Sequence, residues 1–142
     1  MSRGEANGCG LCPPAEGPPA EVVGAAVDVG GWQAGVLRGY EVPGWIAVFP
    51  RRHVESFDAL DEAEAAALGG SLRRAATAIR AGTCCAKVYA VSFGERIPHV
   101  HVLLMAVPAD LADAHRGAAL LAQRGRLRDP AAARAVAALL SR

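Results

Sequence analysis

The sequence predicts an α+β domain in which a mostly antiparallel sheet of about five strands carries one long helix, with further helices at the C-terminal end. Three observations predict this class. Apolar residues alternate in short runs before residue 51 and again over 86–107, they recur every three or four positions over 61–82, and the tail is helical in pattern. Strands, one helix, strands and tail helices in this order favour a helix packed on a sheet. At 142 residues, 52% of them hydrophobic, the chain can bury one core.

The predicted elements divide the chain into three parts. Residues 1–20 are rich in Pro and Gly and are expected to be irregular, residues 21–108 form the main domain, and residues 109–142 form a helical tail. Three strands are predicted in "AAVDVG", "WQAGVLRG" and "GWIAVFP", and two more in "AKVYAVSF" and "PHVHVLLMAV". The first three are separated by short Gly-rich turns and are expected to form an antiparallel meander.

The long helix has recognisable ends. Asp61 is expected to cap it, and Glu62 and Glu64 fall in its first turn, where acidic side chains suit the helix dipole. It is expected to end at "AGT", residues 81–83. Two tail helices are predicted in "LADAHRGAALLAQRG" and "PAAARAVAALLSR", with Pro130 in a first turn.

Composition excludes several classes of function. The chain has 15 basic and 14 acidic residues, so no nucleic-acid or anionic-membrane surface is indicated. No apolar run reaches the roughly 18 residues of a membrane span, and "MSRGEANGCGLC" lacks the apolar core of a signal peptide, so a cytoplasmic protein is expected. Cytoplasmic thiols stay reduced, and the four cysteines are therefore interpreted first as metal ligands or small buried residues.

Five residues form the pattern that carries chemistry. On a strand, His99 and His101 would share one face. Upstream, "CGLC" places Cys9 and Cys12 three positions apart, and "FPRRH" ends on His53. Each piece alone has an ordinary interpretation: a Cys-x-x-Cys can be a redox pair, and a His-x-His can be two hydrogen-bonded polar residues. Together, two thiolates and two imidazoles make a Cys2His2 set, which suits tetrahedral zinc.

Several of these segments carry a family resemblance. "RIPHVHVLLM" resembles the histidine triad (HIT) motif, His-φ-His-φ-His-φ-φ, in which φ is an apolar residue. "GYEVPGWIAVFPRRHVESFDALDEAEAAALG" is similar to the strand, Pro-x-x-His and helix block of HIT proteins, and "CGLC" to the zinc-type cysteines near their N-terminus. The matching segments cover roughly residues 9–108 in the family's order. The resemblance implies a HIT-like fold for residues 21–108.

The resemblance also implies roles for individual residues. Zinc-bearing members of the superfamily hold the metal with the residues that match Cys9, Cys12, His53 and His99. His101 matches the nucleophile that attacks a nucleotide α-phosphate to form a nucleotidyl-histidine, which water or another phosphate resolves. The implied partner is a small-molecule substrate, a nucleotide in most of the family. A homodimer is expected on the same ground.

The sequence departs from the family at two places. Leu103 stands where the hydrolase branches have a third histidine and the uridylyltransferase branch has Gln, and leucine cannot hydrogen-bond a phosphate. The loss of one such donor typically costs on the order of 10²–10³ in rate. Glu95 replaces a Gln and places an anion beside the expected phosphate, an effect that Arg96 is expected to offset in part. Ser92 is the remaining candidate for a hydroxyl that binds phosphate.

Three functions therefore remain open. The first is an attenuated or specialised nucleotidyl hydrolase or transferase that acts through His101. The second is a repurposed zinc enzyme in which His101 and Glu95 are acid–base groups acting on a non-nucleotide small molecule. The third is a zinc-stabilised binding protein without catalysis.

Other polar residues have simpler interpretations. The adjacent Cys84 and Cys85 would point in opposite directions on a strand and are expected to be small buried residues. His115 is expected to be a solvated helix residue. The basic run of Arg124, Arg126 and Arg128 is expected to be a solvated face.

Overall fold

A five-stranded antiparallel sheet organises the chain, and the computed structural model describes it over residues 8–142. The strands are β1 (Val22–Asp28), β2 (Gln33–Leu37), β3 (Trp45–Phe49), β4 (Cys85–Val91) and β5 (Val102–Pro108). Their order is β1-β2-β3-β5-β4, and every neighbouring pair is antiparallel. The predicted α+β class with five strands is confirmed, and β5, which follows the histidine motif, is paired on both sides.

The long helix α1 (Glu62–Gly82) connects β3 to β4 and has the predicted ends. The Asp61 carboxylate accepts the Glu64 backbone N–H, and the Glu64 carboxylate accepts the Asp61 backbone N–H, each at 2.8 Å. This reciprocal capping box satisfies two amide groups that the first helical turn would otherwise leave unpaired. At the other end, the Thr83 hydroxyl donates to the Ile79 carbonyl at 2.8 Å.

Both faces of the sheet are covered. One face packs against α1 in a cluster that includes Trp32, Val48, Ile79 and Leu104. The opposite face packs against the N-terminal segment and the first part of the tail in a second cluster, to which those two segments contribute Leu11, Leu111, Leu120 and partly buried neighbours. Strands β2 and β3 are consequently buried along their whole length. The second face is the one that carries the candidate site.

The tail crosses the second face mostly as tight turns. Two 3₁₀ helices, Asp113–His115 and Gly117–Gln123, precede the short helix α2 (Arg124–Leu127). The prediction of a continuous helix over "LADAHRGAALLAQRG" is therefore wrong, because the segment forms two 3₁₀ helices and the start of a short α-helix. Gly117 has a φ of +69°, and its N–H donates to the Tyr89 hydroxyl at 2.9 Å, so tertiary contacts override the helical pattern here.

The second tail helix is as predicted at its start. Helix α3 (Pro130–Ala137) has Pro130 in its first turn, and the Asp129 carboxylate accepts the Ala132 N–H at 3.1 Å. A final 3₁₀ turn covers Ala138–Ser141. Over residues 8–142, none of the helices combines the length and the apolar character that a bilayer crossing requires.

Candidate metal centre and histidine pocket

The two motif histidines lie before β5 and not within it. The strand begins at Val102, because the Val100 N–H donates to the Val54 carbonyl at 2.7 Å and so leaves the sheet ladder. The prediction that His99 and His101 occupy one face of a strand is wrong in this respect. His99 is fully buried and His101 is half-buried. They contribute to two adjacent sites.

The first site is a cluster of the four predicted metal ligands: Cys9, Cys12, His53 and His99. Their ligand atoms all lie within 4.8 Å of one another. The Cys12 Sγ is 3.2 Å from the His53 Nδ1 and 3.6 Å from the His99 Nδ1, and the Cys9 Sγ is 3.4 Å from the His99 Nδ1. Residues that are far apart in sequence thus present four donors to one point, close enough to bind a metal ion.

Hydrogen bonds from the far side of each imidazole support this assignment. The His99 Nε2 lies 2.7 Å from the Pro50 carbonyl, which only accepts, so Nε2 carries the proton and Nδ1 offers its lone pair to the thiols. The His53 Nε2 lies 3.2 Å from a Glu55 carboxylate oxygen, and the same tautomer follows. Metal-binding histidines almost always donate their second N–H in this way.

Electrostatics of the cluster also fit a cation. Burial, together with the neighbouring Cys9, raises the pKa of the Cys12 thiol to about 12. Burial likewise lowers the pKa of His99, which favours the neutral imidazole that a metal requires. A bound cation would supply the positive charge that the buried thiolates lack.

The second site is a pocket of about 270 Å³ on the same sheet face. It brings together His101, Glu95 and Arg96, three of the residues predicted to act on a substrate. The His101 Nδ1 donates to the His99 carbonyl at 2.8 Å. The other nitrogen, Nε2, therefore carries the free lone pair of a neutral imidazole. The remaining lining residues are Leu37, Tyr40, Val91, Phe93, Gly94, Ile97, Leu103 and Leu121.

Leu103 forms part of the pocket wall. It is 6% exposed and lies opposite Ala47 of β3 and Val91 of β4. Two residues after His101, it borders the same pocket. The third motif position thus presents an apolar surface where a hydrogen-bonding side chain was expected from the resemblance.

Of the two residues predicted to bind a phosphate, Arg96 lines the pocket and Ser92 does not, and both have other partners. The Ser92 hydroxyl donates to the His101 carbonyl at 2.7 Å, so it holds the backbone of that residue. Arg96 was expected to offset Glu95. Within residues 8–142, however, the carboxylate that it contacts is Glu21, at 3.4 Å.

Sequence reasoning missed several residues of the pocket. Tyr40 and Phe93 border it, and the Phe93 side chain is 71% exposed. Leu121 comes from the tail, beyond the segments that resemble the family. An aromatic residue directly before Gly94, at the end of a predicted strand that leads towards the histidine motif, was the available signal for Phe93.

The other cysteines do not join the metal cluster. Cys84, expected to be buried, is exposed, and Cys85 is half-buried. Cys85 starts β4, an edge strand that has a partner on one side only, and edge positions lose burial for that reason.

Comparison with known proteins gives a likeness in structure alone. No family model and no curated protein matches the sequence. A histidine triad protein from Bradyrhizobium japonicum superimposes with a TM-score of 0.61 and 22% identity, over 81% of this chain and 87% of the other. A Hit-like protein involved in cell-cycle regulation from Bartonella henselae, solved with an unknown ligand, gives a TM-score of 0.57 and 13% identity, over 80% and 83%. The chain has the fold of histidine triad proteins.

Proposed function

We propose that the protein is a specialised histidine triad enzyme that hydrolyses or transfers a nucleotidyl group through a covalent intermediate on His101. The observation that carries the proposal is the tautomer of His101. Its Nδ1 proton is held by the His99 carbonyl at 2.8 Å, and the ring borders the pocket. A neutral imidazole fixed in this way has its Nε2 lone pair available as a nucleophile.

The proposed reaction has two steps. The His101 Nε2 attacks the α-phosphorus, an N–P bond forms, and the P–O bond to the leaving group breaks with its electron pair. A water oxygen then bonds to phosphorus, the N–P bond breaks, and its electron pair returns to Nε2. The water proton passes to the Glu95 carboxylate, which lines the same pocket. Ser92 and the His99 carbonyl act by holding His101 in position.

The pocket lining supports a substrate with a flat ring and a phosphate. Phe93 and Tyr40 border the pocket, and Phe93 leaves 71% of its surface exposed, so its ring is available for stacking. Arg96 supplies a guanidinium to a phosphate at the same opening. Leu103 removes one hydrogen-bond donor from the wall, and this supports a specialised or slow reaction.

We propose that zinc occupies the cluster of Cys9, Cys12, His53 and His99. Two thiolates and two imidazoles are a typical structural zinc set, and free thiols agree with a cytoplasmic protein. Zinc would rigidify the loop that carries His99, whose carbonyl orients His101. Four protein donors fill a tetrahedral shell, so the cluster favours a structural metal over the alternative in which the metal acts on a substrate.

The test is a pair of measurements on the purified protein. Metal content is determined first, and the protein is then assayed with dinucleoside polyphosphates and nucleoside phosphoramidates. His101→Ala should abolish turnover while leaving zinc content unchanged, and Cys12→Ala should lower zinc content. Turnover that persists in His101→Ala would overturn the proposed mechanism. A pocket that binds no nucleotide would favour the repurposed enzyme or the binding protein.

A further inference from the structure

The guanidinium groups of two arginines lie beside the ring of Tyr40, which lines the His101 pocket. The Cζ of Arg96 lies 5.8 Å from the centroid of the Tyr40 ring, and the Cζ of Arg124 lies 4.6 Å from it. Both distances suit cation–π contact. Arg96 comes from the loop before the histidine motif and Arg124 from α2 of the tail, so two separate segments bring positive charge to one ring.

The two guanidinium groups differ in their partners. Arg96 has the Glu21 carboxylate at 3.4 Å. For Arg124, no carboxylate of residues 8–142 lies within 4.0 Å, whereas its neighbour Arg128 has Glu41 at 3.7 Å. Two like charges that share one ring repel each other, and one of them lacks a counterion in this part of the chain. An anion that contacts both guanidinium groups would offset that repulsion.

The segment that carries Arg124 is held in place at both ends. Before it, the Gly117 N–H donates to the Tyr89 hydroxyl at 2.9 Å, and Leu121 borders the pocket. After it, the Asp129 N–H donates to the Glu41 carbonyl at 2.9 Å, next to Tyr40 in sequence. The backbone that carries Arg124 is thereby anchored near Tyr40 before any ligand arrives, and preorganised charges bind anions more tightly than mobile ones.

We propose that Arg124 and Arg96, stacked on Tyr40, form an anion subsite that binds a pyrophosphate-type group at the mouth of the pocket. The role of that group as the leaving group rests on the proposed function; the binding itself does not. When the P–O bond breaks, the departing phosphate takes the electron pair and gains negative charge, which two guanidinium groups stabilise. The subsite therefore selects phosphoanhydride substrates over those with a neutral amine as leaving group.

The experiment is calorimetric titration of the full chain with inorganic pyrophosphate. Arg124→Gln should weaken binding by about tenfold, because it removes one charged, two-pronged donor. Arg124→Lys keeps the positive charge but lacks the planar guanidinium, and it should lose less affinity for pyrophosphate than Arg124→Gln. Arg126→Gln is the matched control: it is exposed in the same short helix, away from the Tyr40 ring, and should change binding less than twofold. Thermal unfolding of each variant confirms that the tail stays folded.

The outcomes separate the two proposals. Equal effects of Arg124→Gln and Arg126→Gln, or no pyrophosphate binding by the wild type, would overturn the subsite. Pyrophosphate binding that depends on Arg124, in a protein that forms no adduct on His101, would leave the subsite standing and reject the proposed reaction. An adduct on His101, together with pyrophosphate binding that does not depend on Arg124, would support the proposed reaction and reject the subsite.

Discussion

Glu55 provides a graded test of the metal centre because it contacts a proposed ligand from outside. Its carboxylate lies 3.2 Å from the His53 Nε2 and holds the proton that leaves Nδ1 free for the metal. Outer partners of this kind typically change metal affinity by about 10- to 100-fold. The Glu55 side chain is 58% exposed, so water can replace it in part. We therefore expect Glu55→Ala to weaken zinc binding by about tenfold, the lower end of that range.

The assay is competition for zinc against a chromophoric chelator under reducing conditions. Asp58→Ala is the control, since it removes an exposed carboxylate three positions later that bonds to Ser56 and not to His53. Unchanged affinity in Glu55→Ala, or an equal loss in both variants, would refute the tautomer inferred for His53 and with it the arrangement of the ligands.

Three further predictions concern the pocket, the turns and acid stability. Leu103→His restores a hydrogen-bonding group and should raise turnover about 100-fold in a steady-state assay; an unchanged rate would contradict the role given to this position. Gly44→Ala should destabilise the fold by about 2–4 kcal/mol in urea unfolding, because φ is +80° and the new Cβ would lie 2.5 Å from the Ala106 Cβ. The Arg52 hydrogen bond holds the pKa of Glu64 below its ordinary value, so Glu64 contributes stability above about pH 4.5 that is lost on acidification. Glu64→Gln should flatten the decline of the urea midpoint between pH 6 and pH 3, and an equally steep decline would count against it.

Local signals were sufficient for α1 and for the metal cluster. The capping pair Asp61 and Glu64 lies within one helical turn, so sequence spacing alone predicts it. Cys12 and His99 were predictable as ligands because the residue types and their order are those of a known zinc set, and the structure brings them together. In each case a few residues decide the outcome without knowledge of the rest of the fold.

The start of β5 and the part of the pocket that the tail lines could not be predicted, because both depend on long-range contacts. The alternation of apolar and polar residues around His101 cannot distinguish a paired strand from an extended segment. The sheet ladder ends here because the Val100 N–H donates to the Val54 carbonyl. Nothing in the local sequence relates Arg124 to Tyr40, since the two meet only when the tail crosses the sheet. The basic run was interpreted as a solvated face; its three arginines are exposed, and one of them, Arg124, also lies over the Tyr40 ring.

The most direct test of the central claim is to trap the covalent intermediate. The protein is mixed with a dinucleoside polyphosphate, quenched under alkaline conditions that preserve phosphohistidine, and analysed by peptide mass spectrometry. We predict a nucleotidyl adduct on His101 that accumulates because Leu103 offers no hydrogen bond to the second step, and that is absent from His101→Asn. Turnover without an adduct, or an adduct on another residue, would contradict the assignment of His101 as the nucleophile.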